Sequence, residues 1–146
     1  MHAHKPFEFL EHTADVKFLA YGTTLEEAFT NCVLATTAVM TDLSKIQPKI
    51  EKKIHVSAPL KRTLLYDFLQ ELVVFLDTEG FIACQVSHIK ITEQNEKNKG
   101  YLLDATLLGD CADHYEVHTA VKSVTYSDMF IKEEKDLVTI QVVHDL

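Results

Sequence analysis

The segment VKFLAYGTTLEEAFTNCVLATTAVM, residues 16–40, decides the fold. From Val16 to Tyr21 it carries the two-residue alternation and β-forming side chains of a half-buried strand. After Gly22 the period changes. Thr23-Thr24-Leu25-Glu26-Glu27 offers a capping box twice over, since either threonine can accept from the amide three residues on while a glutamate reaches back. Leu25, Ala28, Phe29, Cys32, Val33, Val39 and Met40 then recur at helical spacing, so one apolar stripe runs from about Thr24 to Met40.

Outward from that segment the same two patterns repeat. A second helix is expected after Ser57-Ala58-Pro59, with Leu64, Leu65, Phe68, Leu69, Leu72, Val73 and Leu76 on one face and Gly80 as its stop. Phe7 to Leu10 and Lys49 to Ala58 read as strands. Between Phe81 and Thr92 the apolar phase shifts from Ile82, Cys84 and Val86 to Ile89 and Ile91, which predicts a bulge or bend near Ser87-His88. The polar run Glu93 to Gly100 reads as a hairpin loop into Tyr101 to Leu108. Ala120 to Lys132 and Leu137 to His144 read as a pair around the charged turn Glu133 to Asp136. Helices interspersed among hairpin-connected strands predict an α+β domain, a mostly antiparallel sheet with two main helices on one face.

Composition sets the outer limits. The chain has 146 residues, 14 Lys+Arg against 22 Asp+Glu, and a formal net charge of -8. That length fits one domain able to bury roughly 68–70% of the surface of its unfolded form, so no disulfide or structural metal is needed to hold it. An acidic surface repels the phosphate backbone, so strong direct nucleic-acid binding is not expected, and a basic protein partner fits better. No apolar run is long enough to span a membrane, and Met1 to Pro6 lacks the apolar stretch of a secretion signal, so a cytoplasmic protein is expected. Cys32, Cys84 and Cys111 are odd in number and widely spaced, and are expected to be free thiols, mostly buried.

Most chemical constellations dissolve on inspection. His114 and His118 would chelate zinc from one helix face, but their surroundings read as loop or strand, where four residues span roughly 13 Å, too far for one ion. His2 and His4 read as part of a terminal tail. G-x-S-x-G, G-x-x-x-x-G-K-[ST] and G-x-G-x-x-G are all absent. Lys45, Lys49, Lys52, Lys53, Lys61 and Arg62 read as a solvated strand face sooner than as an edge that contacts RNA. Asp15 follows His12-Thr13-Ala14 into a strand, Asp145 and Leu146 end the last one, and Lys122 lies within the apolar run Val121 to Tyr126. Taken alone, these read as a turn residue, a solvated tail and an outward-facing strand lysine.

These same residues, taken in order, resemble the archease family. Glu11-His12-Thr13-Ala14-Asp15-Val16, Tyr21-Gly22, Thr24 to Phe29 and Met40-Thr41-Asp42 are similar to its opening blocks. Leu64 to Leu72 resembles its second-helix block, and Gly109-Asp110, Val121 to Ser127 and Asp145-Leu146 resemble its carboxyl-terminal half. The resemblance implies a compact strand-helix-strand-strand domain spanning residues 1–146, with an inserted module at roughly 49–107. It implies an accessory protein, without catalytic activity of its own, for the GTP- and metal-dependent RNA-splicing ligase that joins tRNA halves, promoting guanylylation and multiple turnover. The family's metal-binding positions fall on Asp15, Asp145 and the chain-terminal Leu146, its required lysine falls on Lys122, and His12 is a further candidate for contact with the partner. Carboxylates suit Ca²⁺, with Mg²⁺ or Mn²⁺ as alternatives. Either His114 or His118 answers to the family's loop histidine; Ala120 stands where an acidic residue is common and Asp110 where glutamate is. Two other classes remain open: a small metal-dependent hydrolase using Asp15, Asp145 and His12 or His144, and a metal-free interaction module.

Overall fold

The structure, a computed structural model, describes residues 5–10, 15–94, 97 and 99–146. The chain order is β1 (Phe7–Leu10), β2 (Asp15–Gly22), α1 (Leu25–Met40), a 3-10 turn (Leu43–Lys45), β3 (Ile50–Ala58), α2 (Lys61–Glu79), β4 (Phe81–Glu93), β5 (Tyr101–Cys111), a second 3-10 turn (Ala112–His114), β6 (Ser123–Glu134) and β7 (Leu137–Asp145). This is the expected α+β class, antiparallel in every described pairing. The strands divide into two sheets, one ordered β1-β2-β7-β6 and the other β3-β5-β4.

Local chemistry sets the helix ends. Thr24 accepts from the Glu27 amide at 3.1 Å while the Glu27 carboxylate accepts from the Thr23 amide at 2.6 Å, so both donors are satisfied where α1 begins. Gly80 ends α2 at φ 64, ψ 26, the left-handed conformation that costs glycine nothing, and its N–H reaches the Leu76 carbonyl.

The helices lie between the sheets. α1 packs on β2 and β4, and α2 packs on β6, β3 and β4. Phe18, Phe29, Phe68, Leu64, Leu103, Leu107 and Ile140 are fully buried in that middle layer. Phe29 and Phe68 stack with centroids 6.0 Å apart, joining one helix to the other.

The expected irregularity near Ser87 is present, since the β4–β5 register shifts between Val86 and His88. A second shift, between Ala83 and Gln85, lies at Cys84. There Gly109 on β5 lies so close to β4 that an added Cβ would meet the Ile82 carbonyl oxygen at 1.8 Å. The expectation of mostly buried thiols is corrected: Cys32 is buried, whereas Cys84 and Cys111 are partly exposed because they sit where β4 bulges and β5 ends. The expected loop from Glu93 to Gly100 lies in part outside the described residues.

Candidate functional site

Register brings the two ends of the sequence together. β2 and β7 pair antiparallel with Asp15 opposite Asp145 and Val16 opposite His144, and β6 adds Ser123 opposite Asp145. Directly paired residues in a sheet share a face. Asp15, Asp145 and Ser123 therefore form one row across three strands, on the face opposite the buried Phe18, Val142 and His144. Ser123 donates its hydroxyl to Asp145 Oδ2 at 3.1 Å, and the Lys122 amide donates to the Asp145 carbonyl at 2.8 Å. Asp15 is half-buried, whereas Lys122, Asp145 and Leu146 are exposed.

Carboxylates placed directly opposite one another, with Cβ atoms about 4.5–5.5 Å apart, repel, and any positive charge beside them relieves the repulsion. The available side-chain donors are all hard oxygens: Asp15, Asp145 and the Ser123 hydroxyl. That set matches Ca²⁺ or Mg²⁺ and offers nothing to a soft metal. Among the described residues no group of three or more His, Cys, Asp and Glu side chains could hold a metal. A cation here would therefore need ligands beyond these side chains, such as backbone carbonyls and water, to complete its shell.

His144 does not join the row. Its ring is fully buried, its centroid lies 5.4 Å from that of Phe18, and its Nε2 lies 2.9 Å from Thr36 Oγ1. The Thr36 hydroxyl already donates to the Cys32 carbonyl at 2.8 Å. Thr36 can then only accept from His144, which puts the imidazole proton on Nε2. Among the described residues Nδ1 has no hydrogen-bond partner. Burial lowers the pKa of the imidazole from 6.5 to about 4, against a smaller opposing effect of the Asp145 charge. A residue weighed above as a candidate base is thus a neutral core side chain facing away from solvent. His12, His2 and His4 lie outside the described residues.

Residues 115–122 join no sheet, and a series of tethers holds them. The Tyr115 hydroxyl donates to Asp110 Oδ2 at 2.6 Å and accepts from the Gln47 amide at 2.9 Å. Thr41 Oγ1 donates to the Glu116 carbonyl at 2.6 Å, and the His118 amide donates to the Met40 carbonyl at 2.8 Å. Val121 is buried, and Lys122 follows at once. The Tyr115 hydroxyl and then the Cys111 amide hold the Asp110 carboxyl below its usual range. Sequence reasoning assigned no role to Ser123, Thr41 or Tyr115; for Asp110, the Gly109-Asp110 pair was the available signal. His114 and His118 are both exposed, the first ending a 3-10 turn beside Asp110 and the second outside any helix or strand, near Glu116.

Half of the six residues in the basic stretch are ion-paired, Lys53 with its strand neighbour Glu51 at 3.8 Å. Lys52 pairs with Glu79 and Lys61 with Glu133, which favours the solvated-face reading over an RNA-contacting edge. Among the described residues no helix is long and apolar enough to cross a membrane.

Comparison with known proteins points to one family. The model of the archease protein family matches residues 7–146. The chain is 39% identical to "Protein archease" of Methanothermobacter thermautotrophicus over 143 residues, 97% of this chain and 99% of that one. It is 36% identical to the corresponding protein of Thermococcus gammatolerans over 132 residues, 89% of this chain and 90% of that one. The solution structure of Methanobacterium thermoautotrophicum protein 1598 superposes with a TM-score of 0.79 at 36% identity, covering 97% of this chain and 99% of that one. A Thermotoga maritima structure, described as an archease and possible chaperone, shares the fold with a TM-score of 0.57 at 17% identity, covering 100% of this chain and 99% of that one.

Proposed function

The chain belongs to the archease family, and from that premise we propose that it is a cytoplasmic accessory protein that activates a GTP- and metal-dependent RNA-splicing ligase, promoting its guanylylation and turnover in tRNA splicing or RNA repair. The observation that carries the reading is the strand register: Asp15 opposite Asp145, Ser123 opposite Asp145, and the Lys122 amide on the Asp145 carbonyl. Residues from both chain ends and from the 115–122 segment meet at one exposed sheet end, where a large partner can reach them.

In this reading Asp15, Asp145 and the carboxylate of Leu146 hold a divalent ion, Ca²⁺ first among the candidates, with Mg²⁺ or Mn²⁺ as alternatives. Such an ion supplies positive charge that offsets the triphosphate during guanylyl transfer. Ser123 holds one oxygen of the Asp145 carboxylate by its hydroxyl, and the other oxygen serves the ion. Lys122 presents an exposed ammonium to a phosphate or to a carboxylate of the ligase. His12 stands as a second partner contact. The chain itself carries out no bond-making step. A hydrolase reading loses His144 as its base, since that ring lies in the core beside Phe18.

Single-turnover guanylylation of the cognate ligase by GTP, at limiting divalent metal and with or without this chain, tests the proposal. Acceleration that disappears in Asp15→Ala and Lys122→Ala, both still folded by circular dichroism, is the expected result. No acceleration of an active ligase by the folded wild-type chain overturns it.

A further inference from the structure

Exposed sheet edges are templates for another strand, and this fold closes most of its own. Along β4, the Thr37 hydroxyl donates to the Ala83 carbonyl at 2.6 Å and the Ile91 amide donates to Glu26 at 3.3 Å, so α1 seals that edge. The first part of β6 is sealed by α2, where the Val124 amide donates to Gln70 at 3.3 Å. β1 is only four residues long. β3 guards its edge with Glu51, Lys53 and His55. The far half of β6 carries its charges, Lys132, Glu133 and Glu134, at the hairpin end, whereas among the described residues Met129, Phe130 and Ile131 have neither a charged side chain nor a hydrogen bond from a helix over them.

There β6, the outermost strand of its sheet, borders a groove of about 450 Å³ whose other wall is Leu60, Arg62 and Tyr101. Met129, Phe130 and Ile131 all line it. Consecutive residues point to opposite faces of a strand, so the groove runs along the edge of β6 and not over one face. Leu60 is 58% exposed and Phe130 38%, an apolar pair left open among the described residues.

The charge of the groove is specific. Lys61 is spent on Glu133, but among the described residues Arg62 makes no ion pair or hydrogen bond. α2 starts at Leu60 without a side-chain cap, so its first amides add positive potential to the same wall. In a chain of net charge -8 this is a local cationic spot. We propose that the groove binds an extended acidic segment of a partner protein, which adds a strand to β6 at 129–133, sets an apolar side chain between Leu60 and Phe130, and gives a carboxylate to Arg62. Main-chain pairing supplies the affinity and the two pockets the selectivity. This surface lies at the hairpin end of β6, the end away from Ser123 and Asp145. It does not depend on the ligase-activation reading.

The probe is an acetylated nine-residue peptide alternating valine with threonine, with glutamate at two of the threonine positions, and a counterpart with lysine there. Amide shifts of the full ¹⁵N-labelled chain are followed on titration. The expected result is saturable shifts at 129–133 and Arg62, none at Asp15 or Asp145, and binding about tenfold weaker for the lysine peptide and for Arg62→Glu. Leu60→Ser, at an exposed site that leaves the fold intact, weakens binding by a similar factor. Absence of shifts at 129–133 at millimolar glutamate peptide, equal binding of both peptides, or shifts confined to β1 or β3 overturns the proposal. So does self-association of the chain abolished by Arg62→Glu, which would make a second copy the occupant.

Discussion

His144 offers a test of the core that is independent of any partner. Its imidazole is fully buried with the proton on Nε2 and no acceptor near Nδ1, so protonating it would place an unpaired charge against Phe18. The folded pKa of about 4 lies below the unfolded value of 6.5, so the folded state holds fewer protons between the two. Stability is therefore complete above pH 6.5, is lost as pH falls from 6.5 toward 4, and levels off below that. A displacement of this size corresponds to about 3 kcal/mol. Asp42, Asp110 and Glu8, also held below their ordinary values, lose their contributions only as pH falls below the usual carboxylate range. Urea unfolding in chelator at pH 7.5 and 5.0 separates the two: at pH 5.0 the wild type has lost about 2 kcal/mol of the His144 contribution. His144→Phe keeps a ring beside Phe18, leaves the Thr36 bond to Cys32 in place, and should remove most of that loss. A wild type flat between these pH values, or a variant that keeps the wild-type slope, refutes the assignment of a neutral, buried imidazole.

Gly109→Ala forces a Cβ into the Ile82 carbonyl and should separate β4 from β5, costing at least about 3 kcal/mol; an unchanged urea midpoint would show that the close approach is relieved elsewhere. Phe68→Ala removes a fully buried ring stacked on Phe29 and should cost about 3–5 kcal/mol by the same measurement. Tyr115→Phe deletes the donor to Asp110 and should speed hydrogen exchange at the His118 and Lys122 amides without changing exchange in the α1 core; equal rates would mean that Thr41 and Val121 suffice to hold the segment. Asp145→Asn should abolish the calorimetric response to Ca²⁺ while raising the metal-free stability by up to about 1 kcal/mol, since it removes one of two opposed charges; an unchanged response would take Asp145 out of the cation site.

Element type was legible in this sequence because burial on one face imposes a period, and residues 16–40 change period at a single glycine. The hairpin partners were legible too, β4 with β5 and β6 with β7, but the partners of β1, β2 and β3 were not. Pairing within β3, β4 and β5 on one side and β1, β2, β6 and β7 on the other depends on which edges α1 and α2 cover, and no local pattern encodes that. The Ser87 shift was visible because it inverts the apolar alternation. The shift at Cys84 was hidden, since Ile82, Cys84 and Val86 keep their spacing across it and only the approach of Gly109 exposes it. His144 was misjudged for a related reason: a histidine flanked by Val143 and Asp145 reads as part of a polar terminus, whereas the strand alternation sends it inward to Thr36.

The alternation that buries His144 is also what exposes Asp145. A one-residue slip of β7 against β2 would carry Asp145 into the core and His144 onto the open face, and the buried set Val138, Ile140 and Val142 would turn outward with it. The large apolar cost of that slip fixes Asp145 on the open face, opposite Asp15 and beside Ser123. Burial on one face of the sheet thus decides which polar side chains the other face offers, and the row beside the Lys122 segment is placed by the core behind it.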